Sequence, residues 1–145
     1  MNKLITYLEA IAASKVNELS DTYYFRKFES VNRKEYQHFV PILCEYITYE
    51  RNCVARFTAY DALAMILLPD SGNGVIDFLI DRLASGLDYE LDILRIISEL
   101  KIPQDTNLEP LEEILLGNNE RSKKLVRMVL SRVEQGELLE CIPIH

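Results

Sequence analysis

Residues 52–86 read NCVARFTAYDALAMILLPDSGNGVIDFLIDRLASG, and this stretch decides the fold class. Asn52 stands where a helix N-cap is needed. Behind it Val54, Phe57, Ala59, Ala62, Leu63, Ile66 and Leu67 recur at the spacing that winds one apolar face over about 53–68. Pro69, Gly72 and Gly74 then break the chain. Ile76, Leu79, Ile80 and Leu83 repeat the pattern over about 74–85, and Gly86 fits the C-cap of that helix.

The same period continues in both directions. Downstream, Asp88 can cap a helix over about 89–100, in which Leu91, Ile93, Leu94, Ile96, Ile97 and Leu100 cover most of the circumference. A helix over about 108–116 carries Leu108, Leu111, Ile114 and Leu115, with Pro110 in its first turn, where no backbone donor is needed. A last helix over about 119–135 has Leu125, Val126, Val129, Leu130 and Val133, and Gly136 is expected to stop it. Upstream, Leu4, Leu8, Ile11, Ala12 and Leu19 mark a first helix over about 2–19, and Tyr24, Phe25, Phe28 and Val31 a second. From Asn32 a third carries Tyr36, Phe39, Val40, Leu43 and Ile47, with Pro41 predicted to kink or split it near Val40. No long run alternates with period two, so the chain is expected to be all-α, of about eight helices. The tail 136–145 is read as a short segment, possible as an extended strip on the last helix.

Helices four and five, then six and seven, form two pairs about 35 residues apart. That period suits stacked helical repeats, in which each unit buries its apolar face on the next. Val54-Ala55-Arg56-Phe57-Thr58-Ala59-Tyr60-Asp61-Ala62-Leu63 resembles the first helix of a HEAT repeat, an Arg followed by small and apolar residues. The resemblance covers roughly 52–135 and implies an α-α superhelix behind an aromatic-rich section, 1–51, within one domain of 145 residues. An irregular helical bundle is the alternative architecture.

Bulk chemistry narrows the function classes. A net charge of −7 repels phosphate backbones, so nucleic acid is not an expected partner and a basic protein is. Cys44, Cys53 and Cys141 are odd in number and form no CxxC pair, and with His38 and His145 alone no metal site or cofactor is expected. Glu9 interrupts the apolar N-terminal run, which is too short for a signal-peptide core, and no stretch reaches the ~18 apolar residues of a membrane span. Reduced thiols in a cytoplasm are the matching expectation.

Charge is unevenly placed. Between Asn73 and Glu113 ten acids face three bases, which accounts for the whole net charge. Asp77 and Asp81, Asp88 and Asp92, and Glu109 and Glu113 are each four apart, so each pair shares a helix face at a cost of a few tenths of a kcal/mol. In the repeat arrangement the helices holding Asp77/Asp81 and Glu109/Glu113 line one surface. Asp77, Asp81, Asp88, Asp92, Glu109, Glu112 and Glu113 are therefore the candidate partner-binding residues. Eleven of the thirteen aromatics precede residue 61, and among them Tyr46 and Tyr49, with Tyr23, are candidate interface anchors. Arg121, Lys123, Lys124, Arg127 and Arg132 make the last helix locally basic, read as a solvated face paired with acids of its neighbour.

No Ser or Cys has a His and an acid at telling spacing. Arg33-Lys34-Glu35-Tyr36-Gln37-His38 resembles the Arg-x4-His motif of HEPN ribonucleases, with Lys34 where that family usually carries Asn, Asp or His. The resemblance implies an Arg33 that orients a phosphate and a His38 that acts as acid–base. The reading the whole sequence favours is non-enzymatic. A small, acidic helical-repeat chain resembles bacterial immunity proteins, which implies occlusion of a basic toxin by carboxylates that mimic phosphates. A general adaptor of the same architecture is the alternative.

Overall fold

A computed structural model describes residues 3–13, 32–69 and 73–141, and all regular structure among them is helical. The chain separates into two compact units, Met1–Leu68 and Pro69–His145.

The first unit contains α1 (Lys3–Ala12), a 3₁₀ helix (Arg33–Phe39), α2 (Val40–Tyr49) and α3 (Cys53–Ile66). The second expected helix, with Tyr23, Tyr24, Phe25, Phe28 and Val31, lies outside the described residues, as does the first helix beyond Ala13. Pro41 divides the third segment as its chemistry requires. The stretch from Arg33 is wound as 3₁₀ to Phe39, and an α-helix starts at Val40 with Pro41 in its first turn, where the missing N–H costs nothing. Asn52 caps α3: its Oδ1 accepts from the N–H groups of Val54 (2.9 Å) and Ala55 (3.2 Å). Arg56 donates to the carbonyls of Glu50 and Arg51 and pins the α2–α3 corner.

α2 packs against α1, the 3₁₀ helix and α3. Leu4, Tyr7 and Leu8, then Leu43 and Ile47, then Ala59, Leu63 and Ile66 are fully or almost fully buried there. The expected apolar face of α3 needs one correction. Val54 is exposed, while Thr58 and Tyr60 are buried. At about 100° per residue Val54 falls beyond the edge of the buried arc, and Thr58 enters it because its hydroxyl donates to the Val54 carbonyl (3.1 Å) and needs no water.

The second unit contains α4 (Asn73–Ser85), α5 (Glu90–Ile97), α6 (Glu109–Leu115) and α7 (Glu120–Cys141). Four-residue connections, 86–89 and 116–119, join α4 to α5 and α6 to α7. Connections that short reverse the chain, so each pair is a helical hairpin. The hairpins stack, α4 on α6 and α5 on α7. Within this unit the helices therefore pair one place later than the sequence suggests, because pairing follows the short turns and not the longer 98–108 link. α4 and α6, the helices expected to lie side by side, are in contact. Leu79, Ile93, Leu94, Ile97, Leu111, Val126 and Val129 form the core. The Lys101 N–H donates to the Pro69 carbonyl (2.9 Å), tying the link to the segment that leads into α4.

Two terminus signals behave differently. Gly86 adopts φ 70° and ends α4 as read. Gly136 does not end α7, which runs on to Cys141, so the tail as far as Cys141 is helical and not extended. One interior Gly costs about 1 kcal/mol relative to Ala, and the residues after it, Glu137, Leu138, Leu139 and Glu140, are strong helix formers that offset this.

Candidate docking face

α4 presents Asp77 and Asp81 to solvent, and α6 presents Glu109, Glu112 and Glu113. Because α4 packs directly on α6, the five carboxylates belong to two neighbouring helices of one unit. None of them has a side-chain hydrogen bond or ion pair among the described residues. The i,i+4 pairs Asp77/Asp81 and Glu109/Glu113 keep their mutual repulsion.

Asp88 and Asp92 are different. Asp88 does not cap α5, whose N-cap is Tyr89 without a side-chain bond. Its Oδ2 instead accepts from Arg82 Nε (2.8 Å) and lies 2.6 Å from Arg82 Nη2, with the two side chains 5% and 11% exposed. The guanidinium at the end of α4 holds the Asp88 carboxylate through a fork of charged donors, which bind a carboxylate more strongly than neutral N–H groups do. Asp88 is therefore part of the hairpin's own structure. Asp92 is half-buried on α5 and carries contacts within the chain.

At the turn end of the two hairpins an open cleft of about 280 Å³ is lined by Leu83, Glu90, Pro110, Glu113, Ile114 and the turn residues 117–119. Glu90 is half-buried, and neither it nor Glu113 has a side-chain partner among the described residues. Leu87, Tyr89 and Leu116, in the two turns, are 65%, 60% and 87% exposed. Periodicity does not reveal this cleft, since its walls come from three helices, α4, α5 and α6, and the turn after α6. The nearest sequence signal is Tyr89 and Leu116, apolar residues in turns where polar ones are usual, each next in the chain to a lining residue, Glu90 and Gly117.

The aromatic candidates belong to the first unit. Tyr49 is exposed. Tyr46 is half-buried and pushed up to about 12, first by burial and then by the Glu50 carboxylate, to which it is hydrogen-bonded. Burial likewise raises the Tyr7 hydroxyl, with Tyr46, Glu50 and Asp61 adding to the effect, and it pushes the Cys44 thiol up to about 11. Tyr23 lies outside the described residues.

The Arg-x4-His pair is not brought together by its helix. Arg33 Nη1 donates to the Leu67 carbonyl (3.0 Å), and Gln37 Nε2 donates to the Ile66 carbonyl, so both side chains satisfy the open C-terminus of α3. His38 is exposed and its ring packs on Phe39, with centroids 4.1 Å apart. Five residues along a 3₁₀ helix separate the two side chains by about a third of a turn. On α7, Arg121, Lys124 and Arg127 are exposed, and Lys123, itself half-buried, pairs within its own helix with exposed Glu120 (3.6 Å), a long contact of little weight. Among the described residues no three His, Cys, Asp or Glu side chains are grouped to hold a metal ion, and no helix is long and apolar enough to cross a membrane.

No protein-family model, characterised protein or solved structure matches this chain.

Proposed function

We infer that the chain is a non-enzymatic binding protein whose acidic face captures a basic protein partner, in the manner of an immunity protein occluding a toxin in the cytoplasm. The observation that carries this is the set of five solvent-facing carboxylates on α4 and α6, held on adjoining helices without a described counter-charge. Spreading those charges or pairing them with bases would be easy on exposed helix positions, and would remove the repulsion. A cationic partner converts the same repulsion into attraction, raising association rate and rejecting acidic competitors. The hairpins α4–α5 and α6–α7, stacked member on member, support a HEAT-like reading of the unit that presents the face.

The experiment is capture by immobilised protein from its own host, comparing wild type with a variant carrying Asp77→Lys, Asp81→Lys, Glu109→Lys and Glu113→Lys. Wild type is expected to retain a basic protein whose activity it blocks, and the variant to lose it. A partner retained equally by both would contradict the acidic-face reading, and a partner retained with its activity unblocked would make the chain an adaptor.

A further inference from the structure

Helix-to-helix turns run over the surface and are normally polar, because their backbone groups need water. The turns 86–89 and 116–119 depart from this with exposed Leu87, Tyr89 and Leu116. Gly117, Asn118 and Asn119 of the second turn line the open cleft of about 280 Å³, together with residues of α4, α5 and α6. It falls just below the roughly 300–1,000 Å³ of pockets that hold drug-sized ligands. A cleft of that size takes one long side chain.

Its chemistry is divided. Leu83, Pro110 and Ile114 give apolar walls, whereas Glu90 and Glu113 bring carboxylates from α5 and α6. Both carboxylates lack a described side-chain partner, and Glu90 is half-buried. A carboxylate withdrawn from water beside apolar walls gains more from an incoming cation than one on an open surface does.

We propose that this cleft receives a single arginine side chain of the basic partner. The occupant needs an alkyl stem to lie along Leu83, Pro110 and Ile114, and a cationic head that serves acceptors on two different helices. Arginine has both: its guanidinium presents five donors in a plane, where lysine presents a compact and more strongly hydrated point charge. Tyr89 and Leu116 precede the lining residues Glu90 and Gly117 in the chain and, with Leu87, are exposed, so they offer apolar contact to partner residues that flank the arginine. The assignment rests on the acidic-face reading and divides its labour. Exposed Asp77, Asp81, Glu109 and Glu112 govern approach, and the cleft governs dissociation.

The test is a backbone-amide NMR titration of the whole chain with N-acetyl-arginine N-methylamide, run against its uncharged citrulline isostere. Wild type is expected to show saturable shifts at Ala84, Gly117, Asn118 and Asn119 with a dissociation constant on the order of 1–10 mM. The citrulline compound and the Glu90→Gln/Glu113→Gln variant are expected to bind about tenfold more weakly, and Glu99→Gln/Asp105→Asn, at exposed acids of the 98–108 link outside the cleft, to bind as wild type does. Equal shifts with both compounds, or undiminished binding by the Glu90/Glu113 variant, overturn the proposal. An equal loss in the Glu99/Asp105 variant also overturns it, since binding then follows net charge and not the cleft; the acidic-face reading is tested separately by reversal of Asp77, Asp81, Glu109 and Glu113.

Discussion

Gly86 holds φ 70° at the end of α4, and no atom lies within 4 Å of where its Cβ would be. A side chain there meets no clash, so the whole cost of replacement is conformational. Gly86→Ala is expected to lower stability by about 1 kcal/mol, whereas Gly74→Ala, in the first turn of α4 and equally open, raises it by about 0.5 kcal/mol. Denaturant midpoints of the two variants, moving in opposite directions, check this. Asp88 is the second informative residue. Asp88→Ala leaves the Arg82 guanidinium largely buried and without that counter-charge, which costs about 3 kcal/mol. Arg82→Met with Asp88→Leu is expected to recover much of the loss in thermal unfolding. The cysteines make a third case. Burial pushes Cys44 up to about 11, while Cys53 is exposed. Peptide-resolved maleimide labelling at neutral pH should therefore modify Cys53 well before Cys44. A thiol whose pKa is raised by folding contributes stability that is complete below its unfolded value, ~8.5, and is lost as pH rises through about 11. Stability is expected to fall over that alkaline window, and less steeply in Cys44→Ala.

At the scale of elements, the sequence is legible where one residue's own chemistry decides. Pro41 cannot donate and restricts the residue before it, so the split at Val40 could be read directly. Asn52 offers an acceptor ahead of a helical pattern, and its two bonds to α3 follow. Asn52→Ala is expected to cost about 1 kcal/mol, with Asn52→Asp neutral, as measured by urea unfolding. Legibility ends where residues compete. Asp88 has the right type and place to cap α5, but Arg82 holds it, and that depends on the geometry of a turn six residues wide. Gly136 has the right type to stop α7, but its neighbours favour helix on both sides. The frame of the hairpins was ambiguous for a related reason: apolar periodicity identifies helices without saying which two share a short connection.

At the scale of the molecule, the all-α class followed from periodicity alone, and so did the carboxylate series. The cleft did not, since Leu83, Glu90, Pro110 and Gly117 come together only once two hairpins have stacked. The central claim is that the carboxylates of α4 and α6 work as a group against a cationic partner. The direct measurement is calorimetric titration with the captured partner at about 50 and about 200 mM salt, for wild type and for the fourfold lysine variant. Wild type is predicted to bind about tenfold or more tightly at the lower salt, and the variant to bind weakly at both. Affinity that ignores salt, or that survives reversal of Asp77, Asp81, Glu109 and Glu113, would contradict it.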